Sequence, residues 1–542
     1  MTFYKKQSPE KIEKVSREII RFLIENPNTS RERITNIKSK IGKKYNLKKV
    51  IKNATILDYA TPDEKEVILP ILKRRSTRTL SGVSVIAIMT KPLPCPGTCI
   101  FCPGQESQPG QKVAQSYTGQ EPAAMRSIHS NYDPYLQVSS RINDLEAIGH
   151  SVDKIELIIM GGTFLSTPLS YQTNFVKGAL EGIIEQRTGN LEEAKQLAET
   201  SKRRIVGITI ESRPDYCKEN DVDQMLYYGT TRVEIGIQTI YNDIYNLVKR
   251  GHTSKDSTEA IRIAKDAGLK VNAHIMPNLP GSSYTQDVKL FEELFSNSNY
   301  RPDLLKIYPT LVIDGTELHQ WWKQGKYTPY SEDQLINLIA YVKSSLPSYV
   351  RIQRIMRDIP ATLIKAGCKK SNLRQLVHDR LAELGQRCNC IRCREHGFSN
   401  NKSKINIEDS FAIKLYRQDY KASKGQEVFL SFENHEKTHL FGYLRLRKPS
   451  EFAHRPELND GKTMIVREIK VVGEMVPKDI KPNRLTQIQH RGLGKLLMKE
   501  AETISQQNFG AKKLSVISGL GVRDFFYDLG YHLDGVYVSK FL

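Results

Sequence analysis

The sequence predicts an α/β protein with a parallel β/α barrel, full or partial, between a small helical N-terminal module and a second α/β domain. Two observations predict this fold. From Val83 onwards, apolar runs of strand length alternate with helical stretches, and a polar or glycine-containing loop follows each run. After about residue 405, closely spaced strands lead to a glycine turn and one helix. A chain of 542 residues is long enough for two or three domains.

Residues 1–75 are predicted to form a basic helical module. Residues 8–28 have apolar positions at helical spacing and end near Pro27, and Thr29-Ser30 cap a second basic helix. Residues 1–60 hold fifteen Lys or Arg against six Asp or Glu, a net charge of +9. Two further basic clusters follow: Lys73-Arg74-Arg75 with Arg78, and Arg351 with Arg354 and Arg357. The net charge of +21 for the whole chain favours a polyanionic partner, although a solvated helix pair would also explain the module.

Residues 76–365 are predicted to form the barrel. The strands are expected at Val83–Met89, Ile155–Met160, Ile205–Ile210, Val233–Ile237, Leu269–Ile275 and Leu304–Ile307. A distinctive loop follows each of them, and barrel enzymes place their chemistry at the carboxyl ends of the strands. Lys306, Tyr308 and His274 are therefore candidates for catalytic roles, and each is equally compatible with a structural role.

The loop after the first strand holds Cys95, Cys99 and Cys102, in the pattern C-x3-C-x2-C with Phe101 before the third cysteine. Three thiolates can hold three irons of a [4Fe–4S] cluster and leave the fourth iron open. An open iron is what S-adenosylmethionine needs for binding before it is cleaved to a radical. The spacing predicts a radical SAM site, with a zinc loop or a chance cluster as the alternative.

Residues 366–400 form a basic link with a second cluster, Cys388, Cys390 and Cys393. Three cysteines at this spacing predict zinc, which needs a fourth ligand, either His396 or Cys368. Thiols without a metal are the alternative. Because six of the eight cysteines fall in these two clusters, the pattern indicates metal binding in a reducing cytoplasm rather than disulfides.

Residues 401–542 change character and contain Gln489-x-x-Gly492-x-Gly494 at the start of a helix. The motif resembles the pyrophosphate loop of GNAT acetyltransferases, in which backbone N–H groups and the helix dipole bind coenzyme A phosphates. A plain glycine turn would be the simpler interpretation of this motif alone. The preceding strands, the following helix and Leu529-Gly530-Tyr531 favour the acyl-CoA interpretation.

Taken together, residues 75–542 resemble the Elongator catalytic subunit family in its archaeal form. The matching segments are Lys91–Gly104, Gln115–Pro122, Tyr132–Leu136, Val152–Glu156, Met160–Phe164, Thr209–Asp215, Ala273–Pro277 and Gln489–Gly494. The resemblance implies a radical SAM barrel followed by a GNAT domain. It also implies carboxymethylation of carbon 5 of the wobble uridine, with acetyl-CoA as carboxymethyl source and the tRNA anticodon stem-loop as partner.

The resemblance also implies roles for individual residues. Cys95, Cys99 and Cys102 would hold the cluster, and Gly161-Gly162-Thr163 would meet S-adenosylmethionine. The residues implied at acetyl-CoA are Lys154, Glu468, Ile469, Lys470, Val471, Gln489, Gly492, Leu493, Gly494, Lys495 and Phe526. The chain departs from the family at Phe525-Phe526, where the family often has two tyrosines, so no phenol is available at those two positions.

Two other functions remain open at this stage. A protein lysine acetyltransferase with a structural iron–sulfur domain would need a general base, and His490 and Glu468 are the residues considered for that role. A tRNA-binding scaffold with vestigial cofactor folds is the third possibility, against which the intact cysteine triad argues. The sequence contains no apolar run of 18 residues or more, so no membrane-spanning helix is predicted. The charged N-terminus argues against secretion.

Overall fold

The computed structural model describes residues 9–47, 50–51, 53–72, 81–104, 106–108, 111–399, 413–473 and 492–542. The predicted sites at Gln489 and His490 and the basic cluster at residues 73–78 lie outside these ranges. The chain divides into two compact units, Met1–Thr79 with Ser139–Val152, and Leu80–Val138 with Asp153–Leu542. Within the described ranges, no helix combines the length and the apolar character that a membrane span requires.

The first unit contains the predicted helical module. Its first four helices are α1 (Pro9–Glu25), α2 (Arg31–Lys44), α3 (Asn53–Asp58) and α4 (Pro62–Leu72). The apolar face of α1 is buried at Val15, Ile19 and Leu23, and the Ser30 side chain accepts a hydrogen bond from the backbone N–H of Arg33 at the start of α2. Both predicted helices are therefore confirmed.

The second unit begins with alternating strands and helices. Its first eleven strands are β1 (Ser84–Met89), β2 (Glu106–Gln108), β3 (Gln111–Lys112), β4 (Lys154–Met160), β5 (Arg204–Ser212), β6 (Thr230–Gln238), β7 (Lys270–Ile275), β8 (Leu304–Ile307), β9 (Val312–Ile313), β10 (Arg351–Ile355) and β11 (Ile364–Ala366). The helices in the same stretch of chain are α5 (Pro122–His129), α6 (Pro134–Ala147), α7 (Leu169–Ile184), α8 (Leu191–Thr200), α9 (Glu219–Tyr227), α10 (Asn242–Leu247), α11 (Ser254–Asp266), α12 (Tyr284–Ser296), α13 (Glu317–Lys323), α14 (Glu332–Ser345), α15 (Leu373–Glu383), α16 (Ile391–Arg394) and α17 (His396–Ser399). The chain divides within α6, because the segment from Ser139 onwards belongs to the first unit.

Seven parallel strands form an open sheet in the order β1-β4-β5-β6-β7-β8-β10. The predicted barrel is therefore partial, and β10 is a strand that the sequence analysis missed. In β4, Ile155, Leu157 and Ile159 are fully buried, whereas the alternate residue Glu156 lies on the other face. This alternation gives the sheet one apolar face and one face with charged side chains.

The C-terminal domain is a second seven-stranded sheet. Its elements are β12 (Lys414–Ala422), β13 (Gly425–Glu433), β14 (Leu440–Lys448), β15 (Thr463–Val471), α18 (Leu493–Phe509), β16 (Lys513–Val516), α19 (Arg523–Tyr527), β17 (His532–Asp534) and β18 (Tyr537–Phe541). The strand order is β12-β13-β14-β15-β16-β18-β17, and β15 pairs with β16 in parallel. Its core includes Leu444, Leu497 and Phe526.

A buried ionic network joins this sheet to the barrel. Asp303, at the start of β8, pairs with Arg467 at 2.6 Å, and Asp266, at the end of α11, pairs with Arg447 at 2.6 Å. Glu427 bridges both arginines, and the paired side chains are at most 1% exposed. Because charges removed from water need close partners, the network holds the two sheets in one defined arrangement.

Candidate functional site

The cysteine loop lies at the carboxyl end of β1, where three other segments of the chain contact its thiols. Cys95 Sγ is 3.6 Å from the Thr163 hydroxyl, and Cys99 Sγ accepts a hydrogen bond from Arg250 Nη1 at 3.4 Å. Cys102 Sγ accepts one from Gln115 Nε2 at 3.2 Å. Hydrogen bonds to the cysteine sulfurs are usual at iron–sulfur clusters, so the loop and its surroundings fit a cluster held by three cysteines.

The glycine pair after β4 approaches the same loop. Gly161 and Gly162 have φ angles of 113° and 57°, a region that favours glycine. A Cβ atom on Gly161 would lie 2.5 Å from Thr90 Oγ1. The two glycines therefore let the backbone turn sharply and bring Thr163 to Cys95.

Below the cysteine loop, the inner face of the open barrel holds a charged cluster. Lys306 Nζ forms a short contact with Glu234 and lies 3.5 Å from Glu211. His274 Nε2 is 2.9 Å from Glu234 Oε2, the same oxygen atom that Lys306 contacts. Ligand atoms of Glu211, Glu234 and His274 lie within 4.8 Å of one another, and the Lys306 ammonium supplies the positive charge among them.

The ionisation of this cluster follows from its burial. Although burial opposes charge, the Glu234 carboxylate raises the pKa of Lys306, and the Lys306 ammonium lowers the pKa of Glu234 well below its usual value. Burial and the charge of Lys306 lower the pKa of His274. Lys306 is therefore a fixed cation and a hydrogen-bond donor, not a general base, and His274 is neutral near pH 7. Tyr308 packs edge-on against the His274 ring, with centroids 5.4 Å apart.

Charged and polar side chains continue along the inner face towards the C-terminal domain. Asn272 bonds Glu234 at 3.1 Å, and Arg232 pairs with Glu156. We call this set the polar interior, and its members are Glu156, Glu211, Arg232, Glu234, Asn272, His274 and Lys306. Closed β/α barrels usually fill this space with branched apolar residues. Here it forms a polar connection between the two ends of the strands.

At the other end of the polar interior lies β15 of the C-terminal domain. Its first half, Thr463–Val466, pairs with β16, whereas for Glu468–Lys470 the paired strand among the described residues is β14. The backbone edge of Glu468–Lys470 lies where β16 no longer covers β15, a place that suits an extended ligand. Arg445, the ion-pair partner of Glu468, donates hydrogen bonds to the carbonyls of Asp303 and Tyr349, so this part of β15 adjoins the amino ends of β8 and β10.

Glu468 is locked into an ion pair at this edge. Its carboxylate lies 2.8 Å from Arg445 Nε and accepts a hydrogen bond from the Tyr443 hydroxyl at 2.9 Å. Although burial opposes ionisation, Arg445 lowers the pKa of Glu468 to about 2. Lys154, at the start of β4, is 9% exposed. Burial and the charge of Arg204 lower the pKa of Lys154 to about 8.

The glycine turn sits at the N-terminus of α18. Gly492 has a φ angle of 86° and would have open space around a Cβ atom. Leu493, Gly494 and Lys495 form the first turn of the helix, and the Lys495 side chain is exposed. The first backbone N–H groups of a helix have no acceptor within the helix, which makes such a turn a suitable place for an anion.

The two phenylalanines near this turn have different environments. Phe526 is 3% exposed and packs in the domain core. The ring of Phe525 is 3.4 Å from the position of a Cβ atom on Gly494. The sequence analysis selected Phe526 for a ring contact, but the structure places Phe525 beside the glycine turn. Sequence could not distinguish the two adjacent phenylalanines, because only the orientation of α19 separates them.

The second cysteine triad is compact. The sulfur atoms of Cys388, Cys390 and Cys393 lie within 4.8 Å of one another. The two residues predicted as a fourth ligand, His396 and Cys368, do not belong to this group. The His396 ring packs against His439 and Phe441. Instead His378, on α15, has its Nε2 atom 3.7 Å from Cys393 Sγ. The sequence analysis missed His378 because α15 brings it back to the triad from ten residues before Cys388.

Comparisons with known proteins agree with this geometry. A model of the radical SAM superfamily matches residues 94–294, the radical SAM C-terminal domain matches 302–383, and the ELP3 N-terminal domain matches 12–80. Radical SAM proteins use a [4Fe–4S] cluster and S-adenosylmethionine. The match therefore extends over the cysteine loop, the open barrel and the N-terminal helices.

Two curated proteins and one solved structure are similar to nearly the whole chain. The tRNA uridine(34) acetyltransferase of Methanocaldococcus infernus is 50% identical over 491 residues, 90% of this chain and 91% of that protein. Elongator complex protein 3 of Schizosaccharomyces pombe is 42% identical over 538 residues, 98% of each chain. The structure of Methanocaldococcus infernus Elp3, lacking residues 1–46, has a TM-score of 0.75 and 45% identity, and covers 86% of this chain and 100% of that one. The chain therefore belongs to the Elongator complex protein 3 family of radical SAM enzymes.

Proposed function

We propose that the protein transfers a carboxymethyl group derived from acetyl-CoA to carbon 5 of the wobble uridine in tRNA. The observation on which the proposal depends is the polar interior, which connects the cysteine loop with β15 of the C-terminal domain. A purely structural iron–sulfur domain would not need such a connection. The names of the relatives, tRNA uridine(34) acetyltransferase and Elongator complex protein 3, support the substrate class.

Cys95, Cys99 and Cys102 would hold the cluster, with Gly161, Gly162 and Thr163 beside S-adenosylmethionine. When bound, the two cofactors supply a radical that abstracts hydrogen. The chain's own contribution is to position the reactants. Lys306, held as a cation by Glu234, can donate a hydrogen bond to a carbonyl oxygen that enters the polar interior.

Acetyl-CoA would bind along β15 and at the glycine turn. Glu468–Val471 would contribute backbone groups of β15, and Gly492–Lys495 would offer the helix N-terminus for the pyrophosphate. Lys154 would add a positive charge, and Phe525 a ring contact in place of Phe526. Gln489 and His490 remain predictions from the sequence.

The lysine acetyltransferase alternative receives less support. That reaction needs a base whose pKa lies near the working pH, to deprotonate an amine. Glu468 has a pKa of about 2 and is paired with Arg445, so it is a poor base. The carbon-radical route needs no such base to activate an amine.

The decisive experiment is anaerobic reconstitution of the full chain, followed by nucleoside analysis of a tRNA transcript. We expect 5'-deoxyadenosine and a C5-modified uridine only when S-adenosylmethionine, acetyl-CoA and tRNA are all present. Acetylation of lysine peptides without deoxyadenosine formation would refute the proposal and favour the alternative.

We further propose that the N-terminal helices contact tRNA phosphates. Residues 1–60 carry a net charge of +9, and phosphate contacts release counterions. Removal of residues 1–60 should weaken tRNA binding and flatten its salt dependence, with acetyl-CoA affinity unchanged. If the truncated protein binds tRNA with the same affinity and the same salt dependence, the module is a solvated helix pair that has no part in tRNA binding.

A zinc ion is proposed at Cys388, Cys390 and Cys393, with His378 as the fourth ligand in place of His396 or Cys368. Three thiolates and one imidazole form a common structural zinc site, and such a site fits a reducing cytoplasmic location. Metal analysis should find zinc in the wild type and in the variants His396→Ala and Cys368→Ser, but a loss in Cys390→Ser and His378→Ala. Full zinc content in Cys390→Ser would contradict the assignment.

A further inference from the structure

We propose that Arg213 and Arg250 act as a pair of buried cations that make the [4Fe–4S] cluster easier to reduce. The proposal rests on the assignment of Cys95, Cys99 and Cys102 as cluster ligands. It concerns a different property, the reduction potential of the bound cluster. The two arginines follow β5 and β6, and both approach the cysteine loop.

Arg250 contacts the loop directly. Its Nη1 atom donates a hydrogen bond to Cys99 Sγ at 3.4 Å, and Nη2 donates to the Gly236 carbonyl at 2.7 Å. A Cβ atom on Gly236 would lie 2.6 Å from Nη2, so the glycine makes room for the guanidinium. The loop is also tied to this segment by the hydrogen bond from Ile100 N–H to the Val248 carbonyl at 3.2 Å.

Arg213 approaches from the other side. Its Nε and Nη2 atoms bond Asp215 at 2.9 and 2.8 Å, and Nη2 also donates to the Arg250 carbonyl. Its Nη1 atom is buried and has no hydrogen-bond partner. A Cβ atom on Gly97 would lie 2.0 Å from Nη1 and 3.7 Å from Cys99 Sγ. The unpartnered donor is therefore directed at the cysteine loop.

The charges around the loop do not cancel. Arg213 and Arg250 are 4% and 8% exposed, and Asp215 is the carboxylate paired with Arg213. His252 adds no charge near pH 7, because burial and Arg250 lower its pKa to about 3. Arg213, Arg250 and Asp215 together thus contribute one net positive charge beside the cluster ligands.

The chemical step affected is the uptake of one electron. The cluster accepts the electron from a low-potential one-electron donor, and no bond forms or breaks. The reduced cluster is more negative by one charge, so nearby cations and hydrogen bonds to the cysteine sulfur stabilise it over the oxidised form. The arginines should therefore shift the midpoint potential in the positive direction.

The test is a redox titration of anaerobically reconstituted full-length protein, followed by electron paramagnetic resonance. Arg250→Gln and Arg213→Gln should shift the midpoint potential in the negative direction, with iron and sulfide content unchanged. Asp215→Asn removes the opposing carboxylate and should shift it in the positive direction. Arg187→Gln is the matched control, because its guanidinium is 64% exposed and pairs with Glu181 on α7.

Wild-type potentials in loaded Arg250→Gln and Arg213→Gln would overturn the proposal. If Arg250→Gln and Arg213→Gln fail to hold iron, the midpoint potentials of Arg250→Lys and Asp215→Asn test the proposal instead. The proposal requires Arg250→Lys to stay nearer the wild-type potential and Asp215→Asn to move above it, and an unchanged potential in Asp215→Asn would overturn it. A wrong assignment of the cluster ligands can be told apart from a wrong arginine proposal. If Cys99 were not a ligand, the reconstituted Cys99→Ala variant would keep the wild-type electron paramagnetic resonance spectrum.

Discussion

The two ends of the polar interior are built differently. At the cysteine end, loops from successive strands meet, glycines turn the backbone, and Cys95, Cys99 and Cys102 remain partly exposed. We call the other end, at β15 and the glycine turn, the acyl end, because acetyl-CoA is proposed to bind there. At the acyl end, charged side chains such as Arg467 and Asp303 are fully buried and paired. The difference indicates that the cysteine end is shaped to receive cofactors, whereas the acyl end is fixed by the joint between the two sheets.

This contrast has a physical origin. Loops at strand ends can supply donors and thiols without disturbing the sheet. A buried ionic network tolerates little movement, because any separation of its charges leaves them without water or a partner. Variants at the cysteine end should therefore change chemistry, and variants in the network should change stability.

The largest expected effect is at the cysteine end. Cys99→Ala should abolish cleavage of S-adenosylmethionine, because two thiolates rarely hold a cluster with one open iron. Acetyl-CoA affinity should not change, since the acyl end is separate. Deoxyadenosine formation and calorimetry measure the two properties. Cys217→Ala is the control, because this thiol is fully buried away from the loop. Normal deoxyadenosine production by Cys99→Ala would contradict the assignment.

The second effect is at the acyl end. Gly492→Glu places a carboxylate where the pyrophosphate is proposed to bind, so acetyl-CoA affinity should fall sharply while cluster content and tRNA binding persist. Gly461→Glu is a matched control in the same domain. Gly461 also has a positive φ angle, 68°, and open space around a Cβ atom. Equal acetyl-CoA affinities for the two variants, measured by calorimetry, would exclude the glycine turn as the phosphate site.

The third effect concerns the joint between the sheets. Arg467→Met leaves Asp303 and Glu427 buried without this cation, which should lower the free energy of unfolding by about 3–5 kcal/mol. Arg417→Met removes an exposed pair with Asp419, where the loss should stay below about 1 kcal/mol. Denaturant unfolding followed by cluster absorbance and by tyrosine fluorescence measures both. Equal losses in the two variants would show that the buried network contributes no more to stability than an exposed ion pair.

The smallest effect is a pH dependence. Lys154 has a pKa of about 8, so it is mostly cationic at pH 7 and mostly neutral at pH 9. If the cation contacts coenzyme A phosphates, acetyl-CoA affinity should fall by up to about tenfold over this range. Lys154→Met should have lower affinity at pH 7 and a flat profile, whereas Lys255→Met, at an exposed position on α11, should keep the wild-type profile. A pH dependence that persists in Lys154→Met would show that another group causes it.

The sequence determined much of the barrel because its strands are apolar on the buried face. Short apolar runs such as Ile155–Met160 favour buried parallel strands, and the polar or glycine-containing loops that follow them indicate where the carboxyl ends of the strands lie. It missed β10, Arg351–Ile355, because charged residues interrupt the apolar run of this strand, and the carboxylate that pairs with Arg351 belongs to Glu395, 44 residues further along the chain. It also gave no sign that the segment after Ser139 belongs with the N-terminal helices.

Cysteine spacing and the glycine turn were visible in the sequence because metal and phosphate sites use short local motifs. Partners distant along the chain depended on the fold. The open barrel brings Arg250 to Cys99, α15 brings His378 to Cys393, and the orientation of α19 selects Phe525 over Phe526. Local sequence thus determined which chemistry the protein contains. Only the tertiary structure decided which side chains surround it, because packing and charge pairing act between residues that are far apart in the chain.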